Sequence, residues 1–224
     1  MLKENKQTII IAGSGKLAQS LINGFSQLGN MIKWDDFDKS IKNKNIVIHA
    51  GTGRQLQECL DYCNETKSVL LELSTGTNIE QLNNDCPVII CPNTAIPVLK
   101  MMKLINEYGK DFSQYKVRII ESHQKEKKTV AGTALVIAQA LNVSNERVES
   151  IRDNETQKKT LGIPEEYLNL HAYHQIIIED IGCEIKIETK VLGHDAYVSG
   201  VKMIVERINK MNLKNKKYQV TEIL

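Results

Sequence analysis

The chain reads as an α/β protein with two domains. One is a Rossmann-like, parallel-sheet nucleotide-binding domain, and the other is a smaller α+β domain with a mixed sheet. Three observations predict this. Apolar, β-branched strand segments alternate with helical segments from Thr8 to Cys91, the pattern of βαβ units. A glycine turn separates the first strand from the first helix. Later in the chain a run of strands dominates, as in a mixed or antiparallel sheet.

Thr8-Ile9-Ile10-Ile11-Ala12 is a β-branched run ended by glycines, as expected of a buried parallel strand. Residues 16–28 follow helical spacing, with Leu17, Leu21, Ile22, Phe25 and Leu28 on one side and Gly29 as the stop. Residues 31–34 form a brief second strand and residues 45–50 a third. The turn Gly51-Thr52-Gly53 and a helix through Tyr62 follow. Residues 68–73 and 87–91 are the fourth and fifth strands. Helices are expected over 98–108 and 132–141, with a strand over 116–122 between them. Residues 175–191 read as two strands joined around Asp180-Ile181-Gly182, and 200–211 as a final long helix. The Lys/Asn-rich stretch 210–217 reads as a solvated turn. The nucleotide-binding domain is then 1–93 with 205–224, and the second domain is 94–204.

Composition narrows the function. A hydrophobic content of 42% is enough for one large domain or two modest ones, each with its own core. A net charge of +2 gives no nucleic-acid footprint. The five cysteines are scattered, without paired metal-ligand spacing, so they read as free thiols of a reducing compartment and no metal is expected. No apolar run approaches the ~20 residues that span a bilayer. The N-terminal stretch Met1-Leu2-Lys3-Glu4-Asn5-Lys6-Gln7 lacks the apolar segment of a signal peptide. The expectation is a soluble, cytoplasmic protein with neither nucleic-acid nor membrane partners.

Ala12-Gly13-Ser14-Gly15-Lys16-Leu17-Ala18 lies directly between the first strand and the first helix. Glycines let the backbone approach a pyrophosphate, and the helix start offers free N–H groups and partial positive charge. Gly13, Gly15, Lys16 and Leu17 are therefore candidate cofactor residues. A tight turn without a ligand is the competing reading. Asp35 and Asp36 stand where an acidic residue meets an adenosine ribose, whereas Lys16 and Lys33 suit a 2′-phosphate. NADH and NADPH both stay open. Gly51-Thr52-Gly53 and Ser74-Thr75-Gly76-Thr77 follow strand ends, where open α/β sheets bind ligands. Their glycines and hydroxyls suit a nicotinamide and a polar substrate, though each alone is equally a plain turn.

Further on comes Glu121-Ser122-His123-Gln124-Lys125-Glu126-Lys127, then Ala131-Gly132-Thr133-Ala134 opening a helix. His123 supplies a proton donor for neutral pH, and Lys127 a charge that holds a carboxylate or polarises an imine. Gly132 and Thr133 present N–H groups and a hydroxyl at a helix start, suited to a carboxylate. The competing reading is a charged, solvent-facing loop.

Taken in order, these segments resemble the dihydrodipicolinate reductase (4-hydroxy-tetrahydrodipicolinate reductase) family. That family carries a glycine-rich first turn, Gly-Thr-Thr-Gly, Ala-Pro-Asn-Phe-Ser, Glu-x-His-His-x-x-Lys and Pro-Ser-Gly-Thr-Ala. This chain has Leu73-Ser74-Thr75-Gly76, Cys91-Pro92-Asn93-Thr94-Ala95, the Glu121 to Lys127 segment and Val130-Ala131-Gly132-Thr133-Ala134. The stretch from His174 through Gly193-His194-Asp195-Ala196-Tyr197-Val198-Ser199-Gly200 is similar to the family's closing sheet and helix.

The resemblance implies hydride transfer from NADH or NADPH to a cyclic unsaturated dicarboxylate. It implies that His123 is the catalytic proton donor and that Lys127 binds substrate and assists protonation. Thr75, Gly132 and Thr133 would hold the carboxylates, with Gln124 at the substrate position of the family's second histidine. Gly15, Lys16, Gly76 and Asn93 would contact or shape the cofactor site, for which the residues themselves also offer Gly13, Leu17, Asp35, Gly51, Thr52 and Ser74. A homotetramer built through the second domain's sheet is also implied. This chain departs from the pattern at Leu73, Thr94, Gln124, Val130 and Ala131. Two alternatives therefore stand beside the lysine-pathway reductase. One is a reductase of the same fold acting on another cyclic imine or enone acid. The other is a non-catalytic nucleotide-binding paralogue, against which the presence of both His123 and Lys127 argues.

Overall fold

Ile9–Ala12 (β1) is buried along its whole length, which its unbroken apolar run requires of a strand covered on both faces. The computed structural model describes residues 7–224; the N-terminal residues read above as lacking a signal segment otherwise lie outside the described part. Gly15 caps Lys16–Phe25 (α1), which buries Ala18, Leu21, Ile22 and Phe25. A short 3₁₀ turn then ends at Gly29, whose φ of 72° is left-handed. Met31–Lys33 (β2), Ile46–His49 (β3), Leu56–Thr66 (α2), Val69–Glu72 (β4) and Val88–Ile90 (β5) follow.

The second series is Ile96–Tyr108 (α3), Lys116–His123 (β6), Gly132–Ala140 (α4), Val148–Ile151 (β7), Asn154–Lys159 (α5), His171–Asp180 (β8) and Cys183–Leu192 (β9). Asp195–Ile208 (α6) and Lys217–Gln219 (β10) close the chain. These elements form two units. One runs up to Thr94 and resumes at Tyr197–Leu224, ahead of the 205 expected from sequence; the other is Ala95–Ala196.

The first unit holds a six-stranded sheet in the order β10-β5-β4-β3-β1-β2, parallel throughout. Chain direction across the sheet reverses at β1, so the crevice between β1 and β3 is its switch point, where such sheets bind ligands. Trp34, Phe37 and Tyr62 make an edge-to-face cluster in the core on one side. Trp34, expected to end the second strand, instead opens a 3₁₀ turn and is buried. Cys59, Cys63, Cys86 and Cys91 are buried free thiols, and burial pushes the Cys91 thiol up to about 12.

The second unit's sheet, β7-β6-β8-β9, is mixed: β6 pairs parallel with β7 and antiparallel with β8. One face carries Val117, Ile119, Ile176 and Ile178 against Ala134, Ile137 and Leu141. The other face carries Ile120, Tyr173 and Ile177 against Leu161, Ile163 and Leu168. Residues 152–170 thus cover a sheet face that would otherwise be wet.

Three further expectations change. The last helix begins at Asp195 rather than at residue 200, because Gly193 (φ 73°) ends β9 and Asp195 sits favourably in the first helical turn. The stretch 210–217, expected to be solvated, delivers Lys217 to β10, where its ammonium donates to the carbonyls of Glu80 and Leu82. Strand β8 starts at His171, four residues before the sequence pattern alternates, because the covering segment buries both of its faces.

Candidate active site

In the first unit a cavity of about 900 Å³ opens beyond the carboxyl ends of the central strands. Gly15, Lys16 and Leu17 line it from the first turn, Gly51 and Thr52 from the loop after β3, and Ser74, Thr75 and Gly76 from the loop after β4. A smaller cavity of about 380 Å³ shares Gly15, Gly51 and Thr52 and adds Gly13 and Asp35. Every candidate cofactor residue except Asn93 therefore meets here. Thr75, assigned to substrate, lines the same cleft. Asn93 lines neither cavity, and its carbonyl accepts the Cys91 thiol at 3.0 Å.

The residues fit a dinucleotide at one decisive place. Gly13 has a φ of 129°, and a Cβ there would stand 2.4 Å from the Ala50 carbonyl oxygen. Only glycine lets the first turn lie against the second loop, leaving backbone for a pyrophosphate to approach. Gly13→Ala is expected to cost about 1–3 kcal/mol of stability and to weaken dinucleotide binding at least tenfold (about 1.4 kcal/mol). Thermal unfolding and dinucleotide titration measure the two effects.

Sequence reading missed Arg54 and His49. Arg54 lines both cavities, and its Nε donates to Thr52 Oγ1 at 3.2 Å. Asp35 is engaged by Gln55, whose amide donates to it at 2.8 Å. The available signals were a cation directly after Gly53 and a lone polar residue ending an apolar strand.

In the second unit, Glu121 and His123 project from the same face of β6 by the two-residue strand period. His123 Nδ1 lies 2.8 Å from Glu121 Oε2, and the Glu121 side chain is fully buried. The other carboxylate oxygen accepts from Arg152 Nη2 and Ser150 Oγ, each at 2.5 Å. Burial alone raises the Glu121 carboxyl pKa. Hydrogen bonds from His123, Arg152 and Ser150 and the charge of Arg152 overcome that and bring it to about 2. The carboxylate therefore fixes the proton of His123 on Nδ1 and leaves Nε2 for a ligand.

Arg152 is the third residue that sequence reading missed. Besides Glu121 it donates to the carbonyls of Lys127 and Thr129, so one guanidinium ties the histidine's partner to the lysine loop. Gln157 supports the end of β6 by donating to Ser122 Oγ and the His123 carbonyl. Lys127 is half-buried in a turn closed by its N–H to the Gln124 carbonyl at 3.0 Å. Gly132 and Thr133 are the first residues of α4, which has no side-chain cap, so its leading N–H groups are available. Gln124 is half-buried beside His123.

His174 packs edge-on against His123, with ring centroids 5.7 Å apart. Burial, then the neighbouring His123, lowers its pKa to about 4 against the opposing pull of Glu121. Both His174 and Glu121 bind protons more weakly folded than unfolded, so their contributions to stability are full near neutrality and fall on acidification. The His174 share is lost as pH falls from 6.5 towards 4, and the Glu121 share from 4.5 towards 2. Urea midpoints measured across that range are expected to fall steadily, and His174→Phe is expected to flatten the upper limb.

A parallel sheet with a glycine turn at its switch point, joined to a mixed-sheet unit bearing a carboxylate-oriented histidine, defines a two-unit protein of the Rossmann class. Residues 98–224 match the family described as dihydrodipicolinate reductase, C-terminus, and the chain belongs to that family. It is 32% identical over 123 residues to the Oryza sativa subsp. japonica protein named "Probable 4-hydroxy-tetrahydrodipicolinate reductase 2, chloroplastic", covering 50% of this chain and 38% of that one. It is 27% identical over 156 residues to the 4-hydroxy-tetrahydrodipicolinate reductase of Rickettsia peacockii (strain Rustic), covering 63% of this chain and 64% of that one. The chain thus spans less than two thirds of the length of either relative. The fold is similar to that of a dipicolinate-bound dihydrodipicolinate reductase from Paenisporosarcina sp. TG-14. That likeness has a TM-score of 0.70 and 18% identity, over 97% of this chain and 100% of that one. Among the described residues no helix is long and apolar enough to cross a membrane.

Proposed function

We propose that the protein is an NAD(P)H-dependent reductase of a cyclic unsaturated dicarboxylate, the 4-hydroxy-tetrahydrodipicolinate reductase of lysine and diaminopimelate biosynthesis. The observation that carries this reading is the Arg152-clamped, buried Glu121 bonded to His123 beside the Lys127 loop. A solvent-facing charged loop needs no such support. Family membership and the reductase names of the relatives support the same reading.

The dinucleotide, when bound, supplies the hydride. The chain does the rest. The first turn and the start of α1 receive the pyrophosphate, and Ser74, Thr75 and Gly76 flank the nicotinamide end. Lys127 and the leading N–H groups of α4, with the Thr133 hydroxyl, hold the substrate's carboxylates. His123, oriented by Glu121, delivers the proton that balances the hydride, and the ring double bond becomes saturated. A cytoplasmic homotetramer joined through the second unit's sheet completes the proposal; sedimentation tests that part.

The direct test is nicotinamide absorbance with purified protein, with the substrate generated in place by the preceding enzyme of the lysine pathway. Rapid oxidation of NADH or NADPH is expected, and the faster cofactor identifies the preference. Gln124 beside His123 favours a second reading, reduction of another cyclic imine or enone acid, which turnover on those compounds alone would establish. Dinucleotide binding without turnover on any of them would mark a non-catalytic paralogue.

A further inference from the structure

His49 has no part in the chemistry above. It ends β3 directly opposite Glu72 at the end of β4, and both side chains are fully buried. Its Nδ1 lies 2.6 Å from Glu72 Oε2. A lone pair on Nδ1 would face the carboxylate at that distance, so the ring proton belongs on Nδ1 and is donated to Glu72. The second Glu72 oxygen accepts the Ser74 backbone N–H at 2.9 Å, which ties the loop after β4 to the same pair. The ring is clamped on one edge, and Nε2 stands on the other.

That Nε2 is buried and, among the described residues, has no hydrogen-bond partner. Buried polar atoms are almost always hydrogen-bonded, and an exception calls for a partner. A Cβ on Gly51 would stand 3.0 Å from Nε2, so the ring stays open toward that loop only because Gly51 has no side chain. His49 lines the smaller cavity together with Gly13, Gly15 and Asp35.

We propose that His49 is a nucleotide-binding residue whose Nε2 accepts a hydrogen bond from a ribose hydroxyl of the bound dinucleotide, with Glu72 as the positioning residue that sets the tautomer. This rests on the dinucleotide reading of the cleft. The tautomer selects the donor: an acceptor nitrogen repels phosphate oxygens and takes an O–H. Asp35 in the same wall is a second acceptor, so this part of the cleft suits a sugar diol, whereas the glycine turn suits the phosphates.

Nitrogen NMR of the full chain, labelled in its histidine rings, reads the contact without mutation. Addition of NADH or NADPH is expected to shift the His49 Nε2 resonance, and Glu72→Gln to redistribute the ring proton between the two nitrogens. The paired variant His49→Phe/Glu72→Leu makes both partners apolar, so neither is left as an orphaned buried group. It is expected to bind the dinucleotide about 3- to 10-fold more weakly by calorimetry, the worth of one hydrogen bond. Dinucleotide binding with an unmoved His49 resonance, or with unchanged affinity in the folded pair variant, overturns this inference alone. Failure of the unaltered chain to bind either dinucleotide overturns the cleft reading as well. The resonance in the unaltered chain decides the matter even where the variant does not fold.

Discussion

His123→Ala is expected to reduce turnover of 4-hydroxy-tetrahydrodipicolinate by about 10²–10⁴-fold, the usual worth of a positioned proton donor, while dinucleotide affinity changes little. The geometry makes the split specific. His123 lies in the second unit, bonded to Glu121, whereas the cleft proposed for the dinucleotide is lined by residues of the first unit. Lys127→Ala is expected to fall in the same range and to raise KM as well, since in the proposed reaction its ammonium holds the substrate rather than the cofactor. Steady-state kinetics with dinucleotide titration separates these effects. Unchanged turnover in both variants would remove the pair from the mechanism.

Glu121→Leu is expected to be the most destabilising single change in the second unit. The leucine leaves Arg152 without its charge partner and strips His123 and Ser150 of theirs. Removing one member of a buried ion pair costs about 3–5 kcal/mol, which lowers the melting temperature by roughly 6–20 °C in a chain of this size. The loop carrying Lys127 and Thr129 hangs on the same guanidinium, so its protection from hydrogen exchange is expected to drop with it. Arg152→Met removes the charge from the other side and is expected to raise the Glu121 pKa from about 2, moving acid unfolding to higher pH. A melting temperature unmoved by Glu121→Leu would show that the cluster does not hold this part of the fold.

The parallel sheet was legible because strands buried on both faces must be apolar at every position. Ile9–Ala12, Ile46–His49 and Val69–Glu72 announce themselves in that way, down to the single polar residue that ends each of the last two. The hairpin of β8 and β9 showed through its turn, where Gly182 takes a φ of 70°. β10 did not show. It is three residues long and polar, and it becomes a strand because β5 offers it an open edge and because carbonyls from the 80–82 region take the Lys217 ammonium. Residues 152–170 were equally opaque, since a covering segment has no periodicity of its own and takes its shape from the face it covers.

The sequence by itself picked out the candidate groups that lie close together along the chain. Gly13 and Gly15 before a helix, and His123, Lys127 and Gly132-Thr133 around one loop, are local patterns whose meaning follows from backbone freedom and residue type. Only the tertiary structure decided which distant groups complete them. Arg152 reaches Glu121 across a parallel strand pair, His174 stands opposite Glu121 on the neighbouring antiparallel strand, and Glu72 meets His49 because β3 and β4 are in that register. Register is set by the burial of whole strand faces and by the loops that join them, and a shift of one residue would send each of these side chains to the opposite face.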